Sequence, residues 1–194
     1  LAIWGGIAVA CPFCNPNLTF TERIDQAHVA YVVEWISGHE GLADRGETGQ
    51  TQVRVLHVFK TAAPQQAVGD VLTLPQFSFG QPGARSLLFG QLREGEVLGW
   101  DGLVPCSNDL FAYLQLRPGP EVKAPARLPF FIPYLEHPDE DLAVDAYSEF
   151  GNAPYDAVKA VAVQLPRDKL VAWVPEPNAS TGRISFVEVE RAGV

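Results

Sequence analysis

The feature that most constrains the fold is a series of short runs of β-branched and aromatic residues between residues 28 and 116. The run at residues 51–60 alternates strictly between two sets of side chains, and this two-residue period predicts a strand. Turn residues, chiefly glycine and proline, separate the runs at short intervals, which is typical of a small antiparallel barrel or sandwich. The predicted strands are residues 28–36, 51–60, 71–74, 86–92, 96–100 and 111–116.

Helical signals flank this β-rich region. Residues 18–27 predict a short helix with Thr21 as its cap and Ile24 facing inward. Residues 118–125 are rich in proline and predict a linker. Strands followed by helices place the chain in the α+β class. We therefore expect a signal-peptide remnant at residues 1–10, a β module at residues 11–117, and a linker with a helical segment at residues 118–194.

Beyond the linker, apolar residues recur at helical spacing. A first helix is predicted around Pro133, which would kink it, and a second begins with the acidic residues 139–141 and ends at Gly151. A third begins at Pro154, and a fourth covers residues 169–174. The apolar positions of the first three are Leu128, Phe131, Ile132, Leu135, Leu142, Ala146, Phe150, Tyr155, Val158, Ala162 and Leu165. Residues 184–190 alternate and predict a final strand.

The acidic balance of the chain excludes two classes of partner. The 23 Asp and Glu residues exceed the 14 Lys and Arg residues and give a net charge of −9. Nucleic acids and anionic membrane surfaces would repel such a chain, so neither is expected as a partner. The hydrophobic fraction of 47% is large enough to form a buried core.

Residues 1–10 are apolar and uncharged, and small residues precede Cys11. This pattern is typical of a secretory signal peptide at its cleavage site, so it predicts a secreted, periplasmic or envelope-associated protein. The run is too short to be a transmembrane span, which takes about 20 residues. Two alternatives stay open, namely acylation of Cys11 as a lipid anchor and a buried first strand.

Cys11, Cys14 and Cys106 are the three cysteines of the chain. Their number is odd, so in an oxidising compartment one thiol is left over from any single disulfide. A bridge from Cys11 or Cys14 to Cys106 would close a loop of about 90 residues and stabilise the fold by roughly 4 kcal/mol. We favour such a structural disulfide, and the pairing of Cys11 with Cys14 stays open.

A redox role is the alternative interpretation of Cys11 and Cys14, because a C-x-x-C pair at the start of a helix has a lowered thiol pKa. Here Asn15 and Pro16 follow directly and interrupt the chain, unlike the long helix of a thioredoxin-like site. Asn15 also stands where a c-type haem site needs histidine. The sequence lacks a four-ligand zinc spacing, so neither a metal nor another cofactor is expected.

The remaining candidate residues indicate packing or binding rather than catalysis, since no catalytic motif is present. His57 lies on the same predicted strand face as Val53 and Val55, which favours a hydrogen-bonded core histidine. The acidic residues 139–141 favour helix capping over cation binding. The candidate binding surface consists of the aromatic residues Phe77, Phe79 and Trp100.

The order of these parts resembles the netrin-like modules related to tissue inhibitors of metalloproteinases. The resemblance rests on an N-terminal cysteine, the Val-Phe-Lys-Thr end of a strand at residues 58–61, the run at residues 68–74, the Leu-Leu-Phe-Gly of residues 87–90, and Cys106. It covers about the first 115 residues and implies an OB-like barrel and protease inhibition. Those inhibitors carry Cys-x-Cys at the amino terminus, whereas this chain has Cys11-Pro12-Phe13-Cys14.

The short helices beyond residue 138 resemble the start of a HEAT-like repeat array. The whole combination also resembles secreted proteins of planctomycete-type bacteria, and this likeness implies an architecture and a location but no activity. The sequence therefore predicts a secreted or envelope-associated, non-enzymatic interaction module that binds protein, peptide or carbohydrate. The alternatives are a thiol-disulfide redox protein that uses Cys11 and Cys14, and a protease inhibitor.

Overall fold

The structure, a computed structural model, describes residues 18–42, 46, 48–61, 66–93 and 97–165. The predicted signal segment at residues 1–10, Cys11, Cys14, the predicted helix at 169–174 and the predicted strand at 184–190 lie outside these residues. The described residues form an α+β fold in which an antiparallel sheet curls into a half-barrel and several helices lie beside it.

In the described part of the chain, six strands form the sheet: β1 (Val29–His39), β2 (Gln50–Lys60), β3 (Val71–Leu74), β4 (Arg85–Arg93), β5 (Val97–Trp100) and β6 (Val104–Pro105). Neighbouring strands are antiparallel, in the order β3-β2-β1-β4-β5, and β6 pairs with β4. The first five correspond to the first five predicted strands. Gln76 follows β3 and donates a 3.5 Å hydrogen bond from Nε2 to the carbonyl oxygen of Asp101, which follows β5. The curl therefore brings the two ends of the strand order together.

Alternate residues of β1 face two different hydrophobic clusters. Tyr31 and Val33 belong to an inner cluster, which among the described residues contains only strand residues and Leu103. Ala30 and Val32 belong to an outer cluster, which the sheet shares with the helices. Since both faces of β1 are buried, its sequence is a nearly continuous apolar run rather than an alternation.

A β-bulge interrupts the alternation of β2. Leu56 is an extra residue between Val55 and His57, which pair with consecutive residues of β1. Val55 lies in the inner cluster, whereas the His57 ring packs against Phe59 beside the outer cluster, with 4.6 Å between the ring centroids. The prediction that His57 and Val55 share a face is therefore wrong, because one added residue moves the following side chains to the other face.

Within the described residues, four α-helices and three 3₁₀ turns accompany the sheet. The α-helices are α1 (Phe20–Gln26), α2 (Asn108–Leu116), α3 (Glu140–Gly151) and α4 (Tyr155–Val161), and the 3₁₀ turns are Leu128–Phe130, Ile132–Tyr134 and Ala162–Gln164. The helices and the outer face of the sheet bury their apolar residues in one shared cluster. None of the described helices combines the length and the apolar character that crossing a bilayer requires.

Residues 111–116 were predicted as a strand, and this prediction is wrong because they belong to α2. The hydroxyl of Ser107 accepts a 2.9 Å hydrogen bond from the backbone N–H of Leu110 and caps the helix. Leu110, Tyr113 and Leu114 are buried, which is the spacing of one helical face. The cap and this spacing outweigh the β propensity of the aromatic residues.

Two prolines replace the first predicted helix beyond the linker with two 3₁₀ turns. Pro129 and Pro133 lack a backbone N–H and so prevent a continuous helix. Leu128, Phe131 and Leu135 are nevertheless buried, as their spacing predicted.

The helix termini follow their capping signals. Asp139 caps α3 by accepting a 3.3 Å hydrogen bond from the N–H of Leu142, and α3 ends at Gly151, so its predicted bounds are confirmed. The cap predicted for α1 is wrong, because Thr19 rather than Thr21 accepts from the N–H of Glu22, at 3.1 Å. The Glu22 carboxylate in return accepts from the N–H of Thr19, which completes a capping box.

Candidate functional site

The candidate site is the connection between β3 and β4, residues 75–84, which we call the aromatic loop. The loop crosses the end of the half-barrel, beside the start of β2. Thr48 donates a 2.9 Å hydrogen bond from Oγ1 to the carbonyl oxygen of Pro75, and its own carbonyl accepts a 3.0 Å bond from the N–H of Phe77. These bonds fix the first half of the loop to the chain that enters β2.

The buried hydroxyl of Thr51 in β2 holds the aromatic loop on both sides of Phe77. It donates to the carbonyl oxygen of Gln76 at 2.9 Å and accepts from the N–H of Ser78 at 2.8 Å. Trp35 in β1 donates a 3.1 Å hydrogen bond from Nε1 to the carbonyl oxygen of Ser78. These part-buried hydrogen bonds restrain the backbone of the loop in the free protein.

Glycine allows the loop to lie directly on the Trp35 ring. A Cβ atom on Gly80 would stand only 2.4 Å from Cδ1 of Trp35. A second glycine, Gly49, lies just before β2 and allows a close approach to Phe77. A Cβ on Gly49 would stand 2.9 Å from Cβ of Phe77, and Gly49 has a φ of +74°. Both positions therefore require a residue without a side chain.

Phe79 projects from this fixed backbone and is 88% exposed. The ring of Phe77 is half-buried and meets Phe79 edge-to-face, with 5.8 Å between the centroids. Trp100 lies at the end of β5, where it packs on the inner cluster with its ring 6.4 Å from that of Tyr31. Of the three aromatic residues predicted to form a binding surface, the structure joins Phe77 with Phe79 and places Trp100 against a core.

The surroundings of Phe79 in the sequence are uncharged. Residues 71–84 contain no Asp, Glu, Lys or Arg, although these make up 19% of the chain and its net charge is −9. The aromatic loop is thus a neutral part of an acidic protein. The side chains of the loop itself therefore offer apolar surface and hydrogen-bonding groups but no charge for an ion pair.

Cys106 lies between β6 and α2 and is buried as a free thiol within the described part of the chain. Burial raises the pKa of this thiol to about 11, Arg85 partly opposes the shift, and Asp139 adds to it. Because the thiolate is the nucleophile, Cys106 is unsuited to redox exchange in this environment. Cys11 and Cys14 lie outside the described residues, so a bridge to Cys106 stays a prediction.

Sequence reasoning missed a polar cluster that is buried between α1, α2 and α3. The carboxylate of Asp145 accepts hydrogen bonds from the hydroxyl of Tyr113 at 2.7 Å and from the N–H of Phe20 at 2.6 Å. Burial raises the pKa of Asp145 to about 6, although both hydrogen bonds oppose the shift. Burial, and then the Asp145 charge, raises the pKa of Tyr113.

Glu149 lies one turn beyond Asp145 on α3 and forms a 3.0 Å ion pair with Arg127. Burial raises the pKa of Glu149, while Arg127 and the hydroxyls of Thr19 and Thr21 oppose the shift. The available signal was two acidic residues, Asp145 and Glu149, at helical spacing among the apolar positions of α3. The hydrogen bonds of Asp145 link α3 to α1 and α2, so this polar cluster has a structural role.

The other predicted candidates have structural positions. Burial, and then Arg117, lowers the pKa of His57, whose ring packs against Phe59 and Phe111. Asp139, the first of the acidic residues 139–141, caps α3. Within the described ranges, no group of three or more His, Cys, Asp or Glu side chains could hold a metal ion.

This chain has no recognised relative from which a function could be proposed. No protein-family model matches this chain, and neither a curated protein nor a solved structure is significantly similar to it.

Proposed function

We propose that this protein is a secreted or envelope-associated, non-enzymatic interaction module that binds another protein through the aromatic loop. The observation that carries the proposal is the exposure of Phe79, 88%, on a backbone that hydrogen bonds from Trp35 and Thr51 hold in place. Large exposed aromatic residues are typical centres of protein interfaces. A fixed backbone lowers the entropy lost when such a residue is buried by a partner.

We also propose that the curled sheet is an OB-like, netrin-like barrel and that the helices are HEAT-like. The half-barrel with helices on one face supports this description. The apolar residues 1–10 before Cys11 support export.

The redox alternative has less support. Of the cysteines, Cys106 is buried with its thiol pKa raised to about 11, so an exchange reaction would depend on Cys11 and Cys14 alone. Protease inhibition would depend on an amino terminus at Cys11, outside the described residues.

The test is affinity capture from the envelope and secreted fractions of the producing cell with three baits: the wild-type chain, Phe79→Ala and Leu116→Ala. Leu116 lies at the end of α2 and is 69% exposed, so it matches Phe79 as an exposed apolar residue elsewhere. We expect wild type and Leu116→Ala to retain the same protein, and Phe79→Ala to retain at least about tenfold less. Equal capture by all three baits, or no specific capture, contradicts the proposed function.

The proposed export is tested by mass spectrometry of the mature protein, which should show an amino terminus at Cys11, with or without a lipid. A protein that stays inside the cell with residues 1–10 attached contradicts the export proposal.

A further inference from the structure

We infer that the segment of the partner that covers Phe79 is an uncharged, apolar peptide segment, and that Thr51 is the residue that positions Phe79 for it. This inference rests on the proposed function and specifies the chemistry of the partner. It concerns two described residues, one exposed on the aromatic loop and one buried beneath it.

The distribution of charge along this chain supports an uncharged partner segment. Residues 71–84 carry no charged side chain, so the loop itself offers no ion-pair partner to an acidic or a basic segment. The net charge of −9 would in addition repel an acidic segment at long range. An apolar segment needs no ion-pair partner, because its burial against Phe79 is favourable without any charge.

The shape of the site supports a peptide segment that packs around one ring. Phe79 stands out at 88% exposure, and its neighbour Phe77 is half-buried beside it, edge-to-face at 5.8 Å. The exposed ring therefore has a fixed base and free sides. An apolar segment can pack on those sides and bury an aromatic residue of the kind that dominates interface energetics.

Thr51 contacts the loop backbone and not the exposed ring. Its hydroxyl is buried in β2 and bridges the carbonyl oxygen of Gln76 and the N–H of Ser78, at 2.9 and 2.8 Å. Loss of this hydroxyl would free the backbone on which Phe79 stands. Binding would then weaken because the loop must be ordered at the moment of association.

The experiment uses a phage-displayed library of random 12-residue peptides as the probe. Peptides are selected on the wild-type chain, and their dissociation constants are measured with wild type, Phe79→Ala and the control Leu116→Ala. We expect the selected peptides to be apolar and without excess charge, to bind Phe79→Ala at least about tenfold more weakly, and to bind Leu116→Ala as they bind wild type. Raising NaCl from about 50 to 500 mM should change the affinity less than about twofold.

The positioning role is tested with Thr51→Val and Thr51→Ser. Valine has a similar shape without the hydroxyl, and serine keeps the hydroxyl. We expect at least about fivefold weaker peptide binding for Thr51→Val and near-wild-type binding for Thr51→Ser, with circular dichroism confirming that both variants are folded. Equal binding by the folded Thr51→Val variant overturns the positioning role. If the valine variant does not fold, Thr51→Ala, which also lacks the hydroxyl, takes its place, and equal binding by that variant overturns the role in the same way.

The remaining outcomes also decide the inference. Selected peptides that are charged, salt-sensitive or indifferent to Phe79→Ala overturn it, as does a selection that yields none. Self-association of the chain through Phe79, or binding of Phe79 to phosphatidylcholine vesicles in place of peptides, overturns it by showing a different occupant. If a cellular partner is captured through Phe79 but the peptide results fail, the proposed function survives and this inference does not.

Discussion

The hydroxyl of Tyr113 donates a 2.7 Å hydrogen bond to the carboxylate of Asp145, and this bond joins α2 to α3 inside the helical layer. Both side chains are buried, and the second oxygen of Asp145 accepts from the backbone of α1. Removal of the Tyr113 hydroxyl should therefore leave a buried acceptor short of one partner. We expect Tyr113→Phe to lower the free energy of unfolding by about 1–3 kcal/mol, measured by urea denaturation.

Tyr155→Phe is the matched control for this change, because Tyr155 is exposed at the start of α4. It should change the free energy of unfolding by less than about 0.5 kcal/mol. Equal effects of the two variants would show that the bond to Asp145 contributes nothing specific.

Asp145 should give the protein a pH-dependent stability of unusual sign. Burial raises its pKa to about 6 in the folded chain, above the ordinary value of 3.8, so the folded state binds the proton more tightly than the unfolded state does. Its contribution to stability is therefore greatest below pH 3.8, falls as the pH rises to about 6, and is constant above that. Glu149 faces the same region, and its raised pKa acts in the same direction.

The measurement is the difference in free energy of unfolding between wild type and Asp145→Asn across this range of pH. The difference isolates Asp145 from other titrating groups, including the neighbouring Tyr113 and Glu149. We expect wild type to lose stability relative to Asp145→Asn as the pH rises. A difference that is constant, or that favours wild type as the pH rises, would contradict the raised pKa.

Ser107 and Asp139 link the N-termini of two helices. Ser107 caps α2 and Asp139 caps α3, and the Ser107 hydroxyl also donates a hydrogen bond to the Asp139 carboxylate. Ser107→Ala should cost about 1 kcal/mol of stability, as loss of a helix cap does. Combined with Asp139→Ala, it should show a coupling energy of at least about 0.5 kcal/mol in a double-mutant cycle. Additive effects would mean that the two caps act separately. Ser148→Ala, in the last turn of α3, is the control for loss of a hydroxyl.

Gly80 and Gly102 form a matched pair for the packing of the aromatic loop. A Cβ on Gly80 would stand 2.4 Å from the Trp35 ring, whereas a Cβ on Gly102 would meet nothing within 4 Å. We expect Gly80→Ala to lower the free energy of unfolding by about 1–3 kcal/mol through overpacking. Gly102→Ala should be neutral or slightly stabilising, because alanine restricts the unfolded chain. Equal stability of the two variants in a denaturation experiment would contradict the close contact with Trp35.

Cys106 should react slowly with thiol reagents in the folded protein. Burial raises the pKa of its thiol to about 11, so little thiolate is present at pH 8. In the reduced variant Cys11→Ser, Cys14→Ser, we expect iodoacetamide to label Cys106 at least about tenfold more slowly than after unfolding in guanidinium. Labelling at the same rate before and after unfolding would refute its burial. Peptide mapping of the exported wild-type protein then shows whether Cys106 forms the predicted disulfide.

Local pattern was sufficient to predict β1 to β5 and the bounds of α3, but not the two-residue strand β6. The alternation of β2, the proline that ends β3 at Pro75, and the Asp139 cap of α3 are signals that neighbouring residues carry by themselves. The strand prediction at residues 111–116 is wrong because aromatic residues have high β propensity, whereas the cap at Ser107 begins a helix there.

The remaining features depend on residues that are distant in the sequence. The bulge at Leu56 is defined only by pairing with β1, and Asp145 acquires its role from partners on α1 and α2. For the candidate site, Phe77 and Phe79 could be chosen by residue type alone. The role of Thr51 could not, because its contacts with Gln76 and Ser78 form only when β2 and the aromatic loop come together.

The bond from the N–H of Phe20 to Asp145 spans 125 positions of the chain. During synthesis α1 leaves the ribosome long before its acceptor, so its helical layer cannot be completed until α3 has emerged. Until then the apolar outer face of the sheet is uncovered, and such a nascent chain is prone to aggregate or to recruit chaperones.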